Sequence, residues 1–164
     1  MGGRITKSEQ QLRPDPRYQD KTLAKFVNCI MYNGKKAVGQ RMVYAALDEI
    51  QTRLDRDKSP DLPKSAIDLF HQALSKVRPG VEVRSRRVGG ANYQVPKQVS
   101  SRRQQSLAFR WIIQAARAES GRPMSICLAR ELYDAAGGEG KAMSTRENTH
   151  RMAEANKAFA HFAW

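Results

Sequence analysis

The sequence predicts a mainly α-helical fold, a six-helix bundle with a protruding two-stranded β-ribbon between the third and fourth helices. Apolar residues recur at intervals of three and four along most of the chain, which is the spacing of amphipathic helices. One segment, at about residues 81–96, instead alternates around a Gly-Gly pair, which is typical of a tight hairpin turn. We expect residues 1–19 to form an extended basic arm and residues 20–164 to form a single helical domain.

The first three helices are predicted from their apolar faces and from the residues at their ends. Asp20 is a suitable N-cap for the first helix, and Gly34 is a suitable stop. Lys35 and Lys36 then lie at its C-terminal end, where the helix dipole favours cations. The second helix ends before a polar link, and the third stops at Pro79-Gly80. The three apolar faces are Leu23, Phe26, Val27, Ile30 and Met31; Val38, Val43, Ala46, Leu47, Ile50 and Leu54; and Ile67, Phe70, Leu74 and Val77.

The last three helices are predicted in the same way. Ser101–Gln104 and Ser144–Glu147 match the capping-box pattern and open the fourth and sixth helices. The fifth helix runs from about Pro123 to Ala136 and stops at Gly137-Gly138. The apolar faces are Leu107, Ala108, Trp111, Ile112 and Ala115; Ile126, Ala129, Leu132 and Tyr133; and Met152, Ala155, Phe159 and Phe162.

The ribbon between the third and fourth helices concentrates positive charge. Its strands are expected at 81–88 and 91–95, and Pro96, which cannot donate to a ladder, argues against a place inside a larger sheet. Three arginines crowd onto the first strand, where they cannot be buried without anionic partners. They are Arg84, Arg86 and Arg87, and the turn that follows is Gly89-Gly90.

The charge of the whole chain points in the same direction. The chain has 29 Lys and Arg against 16 Asp and Glu, a formal net charge of +13 and a pI of about 10.2. Residues 76–117 contain ten basic residues and one acidic residue, whereas residues 48–68 contain four basic and six acidic residues. A basic face on a chain whose remainder is neutral or acidic indicates binding to nucleic acid.

The residues that catalysis or metal binding would need are not arranged for either. The three histidines, His71, His150 and His161, have no metal-ligand spacing with each other or with the cysteines. The glycine-rich stretch 137–141 fails the phosphate-loop pattern and is explained by a helix cap and a turn. We therefore expect that the protein is not an enzyme and that it binds no cofactor and no metal.

The cysteines and the apolar runs indicate where the chain resides. Cys29 and Cys127 fall in apolar helical patterns and are expected to be buried reduced thiols of a cytosolic-type compartment. No apolar run approaches the length of a transmembrane helix, so no membrane contact is expected.

From the residues alone, two classes of protein are compatible with a helical base and a basic ribbon. One is a structural RNA-binding protein, and the other is an architectural DNA-binding protein with basic β-arms. The second class usually carries an apolar wedge at the arm tip, where this chain has glycines. Tyr93 fits either a base-stacking role or packing across the strands. Trp111 is expected in the core.

Several long motifs resemble one protein family. Arg84–Pro96 resembles the signature segment of ribosomal protein seven of the bacterial-type small subunit, and the likeness continues through Ser101–Ala108 and Arg110-Trp111. It also includes Asn33–Lys36 after the first helix and Arg151–His161 near the end of the chain. The motifs occur in the family's order, and the resemblance covers the chain from about residue 15 to residue 164.

This resemblance implies a structural protein of the small ribosomal subunit, in the cytoplasm unless the ribosome is organellar. It implies a primary binder of small-subunit rRNA that nucleates assembly of the head domain. The expected position is the subunit interface, near the tRNA exit site and the path of mRNA. The implied partners are small-subunit rRNA, exit-site tRNA, mRNA, and ribosomal proteins nine and eleven of the small subunit.

The candidate RNA-binding residues follow from the resemblance together with charge. Phosphate contacts are expected from Lys35, Lys36, Arg84, Arg86, Arg87, Arg102, Arg103 and Arg110. Base or sugar contacts are expected from Tyr93 and Gln94, and Gly89 and Gly90 of the turn are also candidate RNA-binding residues. Arg4 and Lys7 are expected to thread into RNA with the arm, and further contacts to RNA or tRNA come from Lys141, Arg146, His150 and Lys157.

Overall fold

The computed structural model describes residues 11–56 and 63–162. Within these ranges it is mainly helical, with one antiparallel two-stranded ribbon between the third and fourth helices, as predicted. No helix of the described ranges is long and apolar enough to cross a membrane. The elements in chain order are α1 (Lys21–Ile30), α2 (Lys36–Arg56), α3 (Ala66–Val77), β1 (Val81–Val88), β2 (Ala91–Gln98), α4 (Ser101–Arg117), α5 (Met124–Gly137), α6 (Lys141–Ala155) and a 3-10 helix (Lys157–Phe162).

The core is organised around α5, which packs against α2, α3 and α4. Its buried face is rich in alanine, which allows the neighbouring helices to approach closely. At the other side of the core, the Phe26 ring of α1 makes edge-on contacts with the rings of Phe70 and Phe109, at centroid distances of 5.3 and 5.2 Å. This phenylalanine cluster (Phe26, Phe70 and Phe109) joins α1, α3 and α4, and all three rings are buried.

The turn between α1 and α2 differs from the predicted one. The Asp20 cap is confirmed, since its Oδ1 accepts the Thr22 N–H at 2.7 Å. However, α1 ends at Ile30, and Lys36 already begins α2. The two lysines, Lys35 and Lys36, therefore lie at the positive end of the α2 dipole and not at the negative end of α1, so the predicted dipole stabilisation is wrong.

Part of the predicted N-terminal arm is anchored to the helices. Arg4 and Lys7 lie outside the described residues. Further along, Asp15 is buried, and its carboxylate accepts the Arg17 and Tyr18 N–H groups and the Tyr44 hydroxyl. Arg17 pairs with Asp48 of α2 at 2.6 Å. Residues 15–18 thus form a turn that is fixed to α2.

Both predicted capping boxes are wrong in position. The N-cap of α4 is Ser100 and not Ser101, and its side chain makes no capping bond. The N-cap of α6 is Gly140, so Ser144 lies within the first turn, where its hydroxyl donates to the Gly140 carbonyl. The cap of α6 comes instead from another helix, because Glu131 Oε1 of α5 accepts the Ala142 N–H at 2.7 Å.

Some predicted core positions are also wrong. Cys29 is exposed, Ile126 is about one third exposed, Val38 and Met152 are about half exposed, and α6 ends at residue 155. Phe159 and Phe162 belong to the 3-10 helix and therefore do not continue the α6 face. The buried positions that the predicted apolar faces did not include are, among others, Phe109, Ile113 and Leu128.

The cap that α5 provides for α6 generates a prediction about stability. Replacing Glu131 with Ala leaves the Ala142 N–H without an acceptor, and we expect the free energy of unfolding to fall by about 1–2 kcal/mol. Glu131→Gln keeps an acceptor and is expected to lose less. Urea denaturation of the wild type and of both variants measures these losses. If Glu131→Ala is as stable as the wild type, the interhelical cap contributes nothing.

The same carboxylate predicts a pH dependence. Burial raises the pKa of Glu131, although the Ala142 and Lys141 N–H groups act in the opposite direction. Because the folded state holds this proton more tightly than the unfolded state, the contribution of the group to stability is greatest below the unfolded pKa and falls as pH rises through the folded pKa. Gln does not titrate. The Tm of Glu131→Gln minus that of the wild type should therefore increase between about pH 4 and pH 7, and a difference that stays constant with pH would contradict the assignment.

The phenylalanine cluster generates a third prediction. Phe26→Ala removes the ring that both other rings contact, and we expect a loss of about 3–5 kcal/mol in the free energy of unfolding. Val38→Ala removes apolar atoms from a half-exposed position on α2 and serves as the control, with an expected change within about 0.5 kcal/mol. Chemical denaturation followed by circular dichroism checks both variants, and a small effect at Phe26 would show that the cluster is not central.

Candidate nucleic-acid interface

The ribbon is regular along its length. Its register pairs Val81 with Gln98 at the base and Val88 with Ala91 at the turn, so β2 extends three residues beyond the predicted end. Gly89 and Gly90 have φ values of 57° and 90°, which a type I′ hairpin turn requires and which side chains disfavour. Only two strands pair among the described residues, in agreement with the expectation from Pro96.

A buried carboxylate organises the base of the ribbon. Glu82 of β1 is only 7% exposed, and it pairs with Arg84 at 2.6 Å and with Arg103 of α4 at 3.0 Å. The two guanidinium groups keep much of their surface in solvent, with side-chain exposures of 54% and 37%. Glu82 therefore fixes two predicted phosphate-binding residues and ties β1 to the start of α4.

The last residues of the described chain cover one side of the ribbon. Tyr93 of β2 packs its ring against the rings of Phe159 and Phe162, at centroid distances of 5.1 and 5.6 Å. Arg86 Nη1 donates to the Phe162 carbonyl at 3.4 Å. We call the 3-10 helix Lys157–Phe162 the C-terminal clamp, because it holds the ribbon through these contacts. Tyr93 lies opposite Arg86 across the strands, and its ring packs on the aromatic rings of the clamp.

Two of the candidate residues on α6 bond within the protein. Arg146 Nη1 donates to the Lys76 carbonyl at the end of α3, and the Gly80 N–H donates to His150 Nε2 at 3.2 Å. These bonds hold α6 against the α3–β1 junction. A role for Arg146 and His150 in RNA contact remains a prediction.

The other candidates lie at the surface or are partly exposed. Arg110 of α4 lies close enough to Cys29 of α1 to act on it electrostatically, as does Lys25, although partial burial dominates and raises the pKa of the thiol. Lys25 also donates to Gln105 at 3.2 Å, which places a second group of cations along α1 and α4. The remaining exposed candidates are Lys35, Lys36, Arg87, Gln94, Arg102, Lys141 and Lys157.

Two basic residues counted in the charged segment serve the fold instead. Lys76 Nζ donates to the Ala136 carbonyl at 2.6 Å, and Arg117 Nη2 donates to the Ile30 carbonyl at 3.1 Å. Each cation satisfies a carbonyl in the last turn of a helix, where the dipole is also favourable. Both cations therefore stabilise contacts between helices.

One exposed aromatic residue was not predicted from the sequence. Tyr32 lies in the α1–α2 turn, and 74% of it is exposed. The turn is closed by the Lys35 N–H donating to the Tyr32 carbonyl at 3.1 Å, with Asn33 and Gly34 at φ values of 50° and 73°. The exposure of Tyr32 could not be predicted, because the residue belongs to none of the predicted apolar faces and no other pattern in the sequence includes it.

Comparison with known proteins identifies the family. A family model described as ribosomal protein S7p/S5e matches residues 3–157. A small ribosomal subunit protein uS7 from Rhodopirellula baltica is 54% identical over 162 residues, covering 99% of each chain. The proteins of the same name from Rhodospirillum centenum and Rhizorhabdus wittichii are 51% and 49% identical over 164 residues, covering all of both chains.

These matches decide between the two classes that the residues alone left open. The expected resemblance, the absence of enzymatic activity and a location in the cytoplasmic ribosome are confirmed by the family. The architectural DNA-binding alternative is wrong, because the family is ribosomal. The chain belongs to the ribosomal protein S7p/S5e family, whose members are structural, non-enzymatic proteins of the small ribosomal subunit that associate with its rRNA and with other ribosomal proteins.

Proposed function

We propose that this protein is a primary binder of small-subunit rRNA and that it nucleates assembly of the head domain. We further propose that it lies at the subunit interface near the tRNA exit site and the mRNA path. Its neighbours there are ribosomal proteins nine and eleven. The observation that carries the proposal is the basic ribbon, in which Arg84 and Arg86 are partly exposed and yet held by protein contacts, while Arg87 is exposed.

Fixed cations suit a protein that binds a folded RNA early in assembly. Arg84 and Arg103 are held by Glu82, so less side-chain freedom is lost when they meet phosphates. Phosphate contacts supply affinity and position the protein, but they carry little sequence information. Specificity then depends on the match between the rigid basic surface and the shape of one RNA junction.

The second group of cations broadens this surface. Lys25 and Arg110 both act on Cys29, so α1 and α4 present positive charge on the same side of the helical body. Lys35 and Lys36 lie in and after the turn that follows α1. A primary binder must recognise bare RNA without help from other proteins, and several separated basic groups would allow it to hold more than one RNA segment.

The ribbon arginines provide the main test. Replacing Arg84, Arg86 and Arg87 together with Gln should leave helix content nearly unchanged, because Glu82 keeps its bond to Arg103. Binding to a head fragment of small-subunit rRNA should weaken, and the slope of log affinity against log salt should become shallower by about one unit for each phosphate that is no longer neutralised. Filter binding over a salt series measures both effects.

The matched control removes the same number of positive charges away from the ribbon, in α2 and in the segment just before α3. Arg41, Arg56 and Lys64 are all exposed, and their joint replacement with Gln should change affinity and slope far less. If the two triple variants lose affinity equally, binding responds to net charge alone and the ribbon is not a specific contact.

Head nucleation has a separate test. Chemical footprinting of the isolated protein on naked small-subunit rRNA should give protections confined to the head domain, because a primary binder needs no other protein. Proteins nine and eleven should then join a reconstitution mixture more slowly when this protein is left out. Protections outside the head, or unchanged incorporation of both proteins, would contradict the proposed position.

A further inference from the structure

We propose that a groove at the base of the ribbon binds one unpaired nucleotide of small-subunit rRNA; the inference rests on the proposed function and adds a site to it. The groove lies between β1, β2, α6 and the C-terminal clamp, with a volume of about 370 Å³. This volume falls at the small end of the range for ligand pockets, which suits a single nucleotide.

The surface of the groove matches the two halves of a nucleotide. Its apolar part comes from Val81 and Pro96 of the ribbon and from Ala153 of α6. Apolar surface of this kind covers the face of a base. Two lysines from different elements, Lys97 of β2 and Lys157 of the clamp, lie at the exposed edge and would neutralise the phosphate.

The remaining polar groups also suit a nucleotide. His150 accepts the Gly80 N–H at Nε2, which leaves Nδ1 as the ring nitrogen available to a ligand. Gln98 offers a donor and an acceptor, and Glu154, the one acidic residue lining the groove, offers an acceptor for an exocyclic amino group. With two lysines against one carboxylate, the groove favours an anionic ligand.

The groove is built by the clamp and depends on it. Lys157 and Ala160 form one wall, and the clamp that carries them is seated on Tyr93 through Phe159 and Phe162. The wall is therefore already in place before RNA arrives. An unpaired nucleotide is the favoured occupant, because a paired base inside a helix cannot turn its face into a groove of this size.

Two matched substitutions in the clamp test the site. Ala160 lines the groove and Ala158 does not, although both are exposed in the same 3-10 helix. Ala160→Leu should fill part of the groove and weaken binding to the rRNA head fragment by roughly tenfold, whereas Ala158→Leu should bind like the wild type. Circular dichroism confirms that both variants keep their helix content.

A second measurement is independent of the RNA fragment. In proton NMR spectra of the full chain, adenosine 5′-monophosphate at millimolar concentration should shift the ring signals of His150 but not those of His71, which pairs with Asp20, the N-cap of α1. Ala160→Leu should abolish that shift. Equal shifts at all three histidines, or none at His150, would overturn the proposal.

The outcomes separate the groove from the proposed function. If the wild type binds the head fragment and Ala160→Leu binds equally well, the groove is not an rRNA site although the primary-binder proposal stands. If the wild type does not bind the head fragment, the proposed function fails. The NMR titration with adenosine 5′-monophosphate then becomes the only test of whether the groove binds a nucleotide. A loss confined to tRNA binding by reconstituted subunits would overturn the assignment to rRNA.

Discussion

The contact of Phe26 with Phe70 and Phe109 is the constraint on which the rest of the structure depends. It fixes α3 relative to α4, and the ribbon begins just after α3 and ends just before α4. The Val99 N–H donates to the Gly80 carbonyl at 3.1 Å and closes the ribbon between these two helices. A two-stranded hairpin is only marginally stable by itself, so the base of the ribbon depends on the two helices that these buried rings hold together.

Positive charge serves two purposes in this molecule. Some cations complete the fold, as Lys76 and Arg117 do at helix ends and Arg17 does against Asp48. Others, such as Arg84 and Arg103, are positioned by a buried acid and still face solvent. The net charge of +13 does not separate these two roles, and the arrangement around Glu82 says more about RNA binding than the total does.

The sequence predicted the helices and the ribbon well because both depend on local patterns, apolar spacing in one case and the Gly89-Gly90 turn in the other. Prediction from the sequence failed where a residue far away in the chain makes the contact that a nearby residue was expected to make. Glu131 displaces the local cap expected at Ser144, and Phe159 leaves the α6 face because Tyr93 offers a surface for its ring. Contacts between residues far apart in the chain leave no periodic signal, so the clamp and the groove beside it could not be predicted from spacing.

The C-terminal clamp also has a consequence for the order of events during translation. Three helices separate the ribbon from the clamp in the chain, so a ribosome synthesises Tyr93 long before Phe159 and Phe162. Until then the nascent ribbon has its hairpin bonds but lacks the aromatic contacts that hold its side. A growing chain can therefore fold its helical body with the hairpin attached only at its base, and the side of the hairpin is covered only as synthesis reaches the clamp.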